Sequence, residues 1–361
     1  MRVRVELLKS IYSEYAKLRG ANPQEAEIFA SCLLEADLRG HLTQGIGLVP
    51  YLEELFSEHV MRFGEPFDIL RESPATALVD GRRGVGQVIG TKAMDIAIAK
   101  AKAVGIGLVT VRGSSDYGMA SNYAIQAMKQ GLIGISMSTG PLLVAPWGGK
   151  EARFCTNPIA LAVPAGKRDS IVIDMATSAQ SMGAVVLAAR DGKRLSGKHV
   201  VDSDGHYTDD PSNVILNAMH RESRMAGALL PEGPKGFGMV LLVELLAGLL
   251  SGERTWEAER AATTDDRPAY YGQTFIAISI EHFNSLENFA EMADRMVDTL
   301  TNSAPAQGFE AVRLPGAGAT AKEVDYLEHG IPVRDEEWEM LISMAKKVGV
   351  PDHIVNCHLQ S

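Results

Sequence analysis

The stretch Gly105 to Ala124, GIGLVTVRGSSDYGMASNYA, narrows the fold more than any other. Ile106 to Val111 is a short apolar run rich in β-branched residues, with a glycine before it and a polar turn after it, which is the pattern of a buried strand. Gly113, Ser114 and Ser115 break that strand, and from Ala120 onward Ala124, Ile125 and Met128 fall on one helical face. Asp116 stands where strand crosses to helix. Rigid elements on both sides of a short loop make it a good seat for a reactive side chain. An acid just ahead of a helix is also an ordinary N-cap.

Helices come first in the chain. Residues 5–19 place Leu7, Leu8, Ile11, Tyr15 and Leu18 on one side, and Asn22 and Pro23 start a second helix that runs to about Leu38. A glycine-bracketed break at 39–47 precedes more helix over 48–57. Strands are predicted at 76–80, 132–138, 171–174 and 273–280, and helices at 88–103, 176–189 and 284–302. The proline- and glycine-rich segment after 138 reads as a loop, 190–213 as a surface hairpin or excursion, 253–272 as a polar mobile stretch, and 320–357 as a helical tail. Phe237 to Leu250 is too short to span a bilayer, carries Glu244 and reads as a buried helix. An α/β core clasped by a helical unit from both termini is the economical architecture. The expected units are 1–73 with 318–361, helical, and 74–317, α/β, with a further helical subdomain around 234–260.

A chain of 361 residues buries enough apolar surface to need no disulfide or metal. A net charge of -10 without a basic cluster argues against nucleic acid and against an anionic membrane surface. Cys32, Cys155 and Cys357 are far apart, which fits a reducing compartment and no zinc spacing. The charged N-terminus is no secretory signal, so a cytoplasmic location is expected. HExxH, GxSxG, P-loop and EF-hand spacings are missing and the nine histidines are scattered, so no metal is expected. Gly84, Gly86 and Gly90 are spaced GxGxxxG, one residue off the dinucleotide fingerprint, and a turn into the following helix explains them as well.

Six loops rich in glycine or polar residues are candidates for a site: 39–47, 112–118, 139–157, 174–178, 234–236 and 313–316. Lys235 and Arg313 sit among glycines, where a cation meets phosphate and a backbone approaches a ligand. Each is equally an ordinary solvated cation, and His41 beside Gly40 is at least as well read as structural.

The segments ADLRGHLTQGIGLVPYLEEL, VDGRRGVGQVIGTKAMDIAI, VTVRGSSDYGMASNYA, APWGGKEARFCTNPIALAVP, IDMATS, GPKGFGMVLLVELLAGLLSG and RLPGAG follow one another in an order that resembles the type 2 malate/L-lactate dehydrogenase family. Ureidoglycolate and sulfolactate dehydrogenases, diketogulonate reductases and piperideine-2-carboxylate reductases belong to the same group. The resemblance covers nearly the whole chain. It implies a non-Rossmann, mixed-sheet α/β domain that binds NAD or NADP, a helical domain built from both termini, a small-molecule substrate, and a homodimer with its site near the subunit interface. It assigns the cofactor to Thr139, Gly140, Asp174, Met175, Ala176, Thr177, Ser178, Pro234, Lys235, Arg313, Pro315 and Gly316. His41, Leu48, Tyr117 and Asn157 fall on its substrate side, and Thr43, Gln44 and Asp116 on its catalytic positions.

Those catalytic positions depart from the family pattern. Thr43-Gln44-Gly45 stands for the usual SHG, Leu48 for a carboxylate-binding arginine, Asp116 for a histidine, and Pro315-Gly316-Ala317 for PGE. Hydride transfer to a ketone needs a proton donor for the developing alkoxide, which histidine supplies near neutral pH. Glutamine donates a hydrogen bond but no proton. Aspartate serves if burial raises its pKa, or if the substrate brings its own proton, as a protonated imine does. The expectation is NAD(P)H-dependent reduction of a C=N bond or an atypical carbonyl. Two alternatives stay open: an ordinary 2-hydroxy/2-oxo acid dehydrogenase, and a dinucleotide-binding relative without hydride transfer.

Overall fold

The structure, a computed structural model, describes residues 1–215, 226–253 and 271–355. A two-residue strand β1 (Arg2–Val3) leads into α1 (Val5–Leu18), which buries Leu7, Leu8, Ile11, Tyr12 and Tyr15. α2 (Pro23–Leu38) opens with a capping box: the Asn22 side chain accepts from the Gln24 and Glu25 amides, and the Glu25 carboxylate accepts from the Asn22 amide. Two single 3-10 turns, Leu42–Gln44 and Ile46–Leu48, carry the chain into α3 (Val49–Ser57).

A hairpin follows, β2 (Asp68–Glu72) and β3 (Thr76–Asp80), and then α4 (Gly86–Val104) crosses over to β4 (Ile106–Ser114), parallel to β3. Next come α5 (Ser121–Met128), β5 (Leu132–Ser138), β6 (Ile159–Val163), β7 (Ile171–Met175), α6 (Met182–Arg190), and the short pair β8 (Val200–Val201) and β9 (Ala228–Leu229). α7 (Gly233–Val243) runs on into a π-helical turn, Glu244–Leu249. β10 (Tyr271–Ser279), α8 (Leu286–Thr301), α9 (Ala317–His329), β11 (Ile331–Pro332), α10 (Asp335–Val348) and α11 (Asp352–Val355) complete the described chain.

Seven strands form one mixed sheet in the order β2-β3-β4-β10-β5-β6-β7. The β3/β4 pair is parallel and the others antiparallel, because the late strand β10 slots between β4 and β5. α4 and α5 lie so close to the sheet that two strand positions admit no side chain. A Cβ on Gly107 would stand 2.0 Å from the Ala97 carbonyl oxygen, and one on Gly134 2.2 Å from that of Ala124. Val79, Val109, Val111, Tyr123 and Phe275 fill the core between those helices and the sheet. A second apolar core joins the two ends of the chain. Leu8, Ile11, Phe29 and Leu52 pack there with Trp338 and Leu341, and β1 pairs with β11 through Arg2↔Pro332 and Val3↔Ile331.

Several expectations are corrected. The 320–357 tail is not continuously helical: Gly330, whose Cβ would meet the Val3 carbonyl oxygen at 2.9 Å, ends α9 and lets β11 lie on β1. Residues 176–181 stay outside α6, because the Thr177 and Ala179 amides donate to Thr156 and Leu230 and Ser181 caps the helix only at Ala184. The loop after 138 contains β6, whose inward residues are Ala160 and Ala162 rather than larger apolar ones. The helix over 237–250 is buried on one side alone: Leu242, Leu245, Leu249 and Leu250 are between 38% and 55% exposed. Most of the 253–272 segment lies outside the described residues, while Tyr271 and Gly272 already belong to β10. Among the described residues no helix is long and apolar enough to cross a membrane.

Candidate functional site

Two loops meet at Gly118, which takes φ 74°. A Cβ there would stand 3.6 Å from Leu48 Cδ2 and 3.7 Å from the Gln44 carbonyl oxygen. Leu48 is 0% exposed, so its side chain seals this junction. Asp116 is no helix cap. Its Oδ1 accepts from the Gly118 amide at 2.8 Å, closing a tight turn, and α5 begins only after Ala120. Ser115 Oγ holds the turn from behind, accepting from the Gly86 amide at 2.8 Å and donating to the Gly84 carbonyl at 3.0 Å. The GxGxxxG glycines therefore serve close approach, since a Cβ on Gly86 would stand 2.3 Å from the Asp116 carbonyl oxygen.

Asp116 is half-buried, near enough to Tyr271, Tyr117 and Cys155 to act on each electrostatically. Burial pushes the Tyr271 hydroxyl well above its ordinary range, with Tyr51 and Asp116 adding to it. Burial raises the Cys155 thiol too, and Asp116 contributes there. The Tyr51 and Tyr271 hydroxyls share a 2.8 Å hydrogen bond. Gly140 lies against both Cys155 and Tyr271, its Cβ position 3.0 Å from Sγ and 3.2 Å from Cε1. Thr139 locks this wall to β10, its Oγ1 accepting from the Gly272 amide at 2.9 Å. Tyr117, expected on the substrate side, stacks on Tyr123 with ring centroids 4.8 Å apart and lies in the core behind the turn.

Thr43 and Gln44 line a cleft between α3, α6 and α10 together with Tyr51, Gly183, Arg190 and Glu337. Tyr51 is common to both places, lining the cleft and bonding the tyrosine that faces Asp116. Tyr51, Tyr271 and Cys155 were not singled out from sequence as site residues. Tyr51 sits in an apolar helical pattern and Tyr271 at the end of a polar stretch, and only the packing of α3 against the start of β10 brings them together.

A second group of loops gathers beside the end of β7. Thr177 donates its amide to Thr156 at 2.9 Å and its hydroxyl to the Asn157 carbonyl at 3.0 Å. Ser178 bridges to Pro231, and Gly316 abuts β7, its Cβ position 2.3 Å from the Val172 carbonyl oxygen. Asn157 adopts φ 42°, an uncommon backbone state for a residue with a side chain. Its Nδ2 donates to the Val240 carbonyl at 3.0 Å and to Glu244 Oε2 at 2.9 Å, where the π turn faces it, while its Oδ1 is buried without a partner among the described residues. Lys235 and Pro234 lie in the first turn of α7, whose N-terminus has no side-chain cap. Lys235 and Arg313 are exposed, and neither has a partner among the described residues. Ala176 is half-buried, and Met175 and Pro315 are exposed at the same rim.

Asp174 points the other way from Met175, as strand alternation requires. Its Oδ2 accepts from the Ser121 amide at 2.8 Å, at the start of α5. Burial raises its carboxyl, opposed by that bond and by His41. Burial lowers the His41 imidazole, Asp174 opposing and Arg39 and Lys322 assisting. The two face each other where the two groups of loops join. Elsewhere, Asp202, Asp204 and His206 bring their ligand atoms within 4.8 Å, but the amides of Asp204 and His206 already close on Asp202 Oδ1.

The family profile described as malate/L-lactate dehydrogenase matches residues 3–342. The chain belongs to that family. It is an oxidoreductase. A malate dehydrogenase of Pyrococcus abyssi is 37% identical over 346 residues, covering 96% of this chain and 94% of its own. The solved sulfolactate dehydrogenase of Methanocaldococcus jannaschii superposes with a TM-score of 0.85 at 33% identity, covering 97% of this chain and 98% of its own. A delta1-piperideine-2-carboxylate reductase from Pseudomonas syringae pvar. tomato has a TM-score of 0.82 at 27% identity, covering 94% and 98%. The seven-stranded mixed sheet is thus that of the malate and sulfolactate dehydrogenases of this family.

Proposed function

We propose that this family member reduces a C=N bond, or an atypical carbonyl, with NADH or NADPH. The observation that carries the reading is the setting of Asp116. Its carboxylate is fixed by Gly118, faces tyrosine and cysteine, and stands beside a sealed Leu48 where the family's arginine is expected. A fixed carboxylate stabilises a cation such as a protonated imine by its charge. The likeness to a reductase of a cyclic imine acid supports the same choice.

The second group of loops fits a dinucleotide. Exposed Lys235 at an uncapped helix start and exposed Arg313 would meet phosphates, and the unpartnered Oδ1 of Asn157 is an acceptor for a ligand N–H. When bound, the nicotinamide supplies the hydride. Asp116 would hold the positive charge of the substrate until it is discharged, and Thr43 and Gln44 would donate hydrogen bonds from the cleft. The exposed Leu242, Leu245, Leu249 and Leu250 support a homodimer, and free Cys32 and Cys155 support a reducing, cytoplasmic setting.

The test begins with fluorescence titration of the purified protein by NADH and NADPH, followed by turnover of Δ1-piperideine-2-carboxylate, pyruvate and oxaloacetate. The imine acid is expected to show a kcat/KM about tenfold or more above either oxo acid. Rapid reduction of the oxo acids, unchanged in Asp116→Asn, would sink the proposal. Binding of neither dinucleotide would overturn the cofactor assignment.

A further inference from the structure

Asp37 sits in the last turn of α2 and is 0% exposed. Its Oδ2 accepts from the Tyr12 hydroxyl at 2.7 Å and its Oδ1 from the Ile46 amide at 2.8 Å. Gly45 is pressed onto the same group: a Cβ there would stand 2.0 Å from Oδ1 and 2.3 Å from Cγ. One buried carboxylate therefore touches two successive residues of the loop between the 3-10 turns and ties them to α1. The loop's remaining backbone bonds run within itself or to the end of α2: His41 to Ala36, Gln44 to His41, Gly45 to Leu42, and Leu48 to Gly45. A buried carboxylate held by two neutral donors is a costly tie where an amide would serve. Its place directly under the loop calls for a role beyond packing.

We propose that Asp37 is a positioning residue, which through Tyr12, Gly45 and Ile46 sets the 42–48 loop so that Thr43 and Gln44 stand in the cleft while Leu48 closes on Gly118. This rests on the reading of Thr43 and Gln44 as site residues.

The tie responds to pH. Burial pushes the Asp37 carboxyl up to about 7, opposed by the Ile46 and Tyr12 bonds and reinforced by Glu337 of α10. Glu337 in turn lies 3.8 Å from Arg190 of α6, and Tyr12 of α1 is held protonated, well above its ordinary range, by burial and by Asp37. Ionised, Asp37 offers full acceptors to both donors. Protonated, it offers a weaker acceptor and a competing donor. The loop is firmer above that pH than below it.

The experiment uses the full chain and reads hydrogen exchange at the Ile46 amide together with kcat and KM for NADH-dependent reduction of Δ1-piperideine-2-carboxylate, over about pH 6 to 8. In Asp37→Ala, Ile46 exchange is expected to rise about 100-fold and kcat to fall about 100-fold, with NADH affinity within about twofold. Asp37→Asn stands in for the protonated acid at every pH: its oxygen still accepts from the Ile46 amide, while its Nδ2 meets the Tyr12 hydroxyl as a donor, so Ile46 exchange should sit at the wild-type low-pH level throughout. Its kcat is expected within about threefold of wild type at the acid end of the range, and its profile loses the inflection near neutrality. Tyr12→Phe, which leaves the carboxyl in place, should move that inflection upward, and it decides the matter if Asp37→Ala fails to fold. Unchanged Ile46 exchange in Asp37→Ala, or an inflection that persists in Asp37→Asn, would overturn the proposal. Wild-type protein that reduces nothing, with Ile46 exchange still governed by Asp37, would sink the functional reading and leave the tie standing.

Discussion

The loops around Asp116 and the loops beside β7 are held in opposite ways. The first are fixed by buried side chains: Ser115 on the α4 start, Leu48 on Gly118, Tyr51 on Tyr271, Asp37 under Ile46. The second are joined largely by backbone bonds, Thr177 to Thr156 and Ala179 to Leu230, and they leave their cations in water. A shape held by buried side chains tolerates little change, and on the proposed reading it is the one that serves the chemical step. A rim of exposed cations, on the same reading, would bind by charge, with each member carrying a small share. Substitutions in the first group should therefore act on kcat, and those in the second on cofactor affinity.

The largest expected effect is at Asp116. Asp116→Asn keeps the Gly118 hydrogen bond, because the amide oxygen still accepts, but it removes the charge. It should lower kcat/KM for a C=N substrate by about 100- to 1,000-fold, the range for deleting one preorganised electrostatic partner of a transition state. The Kd for NADH should be unchanged. Steady-state kinetics beside a dinucleotide titration checks both, and a weakened NADH Kd with intact kcat would erase the distinction between the two groups.

Lys235→Ala and Arg313→Ala should do the reverse. Each is expected to weaken NADH binding by about tenfold, as for one charge-assisted phosphate contact, and the loss should shrink as salt is raised. Neither should move kcat at saturating cofactor. A loss that ignores ionic strength would show that these side chains work by packing rather than by charge.

How far the sequence could be read follows from which contacts are local. The β4–turn–α5 crossing was legible because its apolar run and its helical face lie close together between Ile106 and Met128, although β4 runs on through Gly113 and Ser114, which were expected to break it. The Asn22–Pro23 helix start was legible for the same reason. β6 was not, because the tight sheet interior takes alanines at 160 and 162 and no β-branched alternation marks it. The late start of α6 was hidden because the amides that forgo the helix bond to loops 21 and 51 residues away. Asp116 and Lys235 can be named from sequence as polar residues in glycine-rich loops, and Gln44 by its place in the family resemblance. That Tyr51 of α3 reaches Tyr271 of β10, 220 residues on, is written only in the tertiary packing.

The smallest effect lies on the seam between the two groups, where His41 of one faces Asp174 of the other. Burial lowers the His41 pKa below the ordinary 6.5, so the unfolded chain takes up a proton there before the folded one does. Stability owed to His41 is fully present above 6.5 and is lost as the pH falls from there through the folded value. Asp174 acts with the opposite sign and further down: its raised pKa favours the folded state below the ordinary 3.8 and withdraws that help as the pH rises through the folded value. Because the two are coupled, the steps belong to the pair. His41→Gln should therefore raise the melting temperature relative to wild type at about pH 5.5 more than at about pH 7.5, flattening the acid side of the stability profile. A parallel offset at both pH values would mean that His41 is already free to protonate in the folded chain. The seam would then be open to water rather than closed between the two groups of loops.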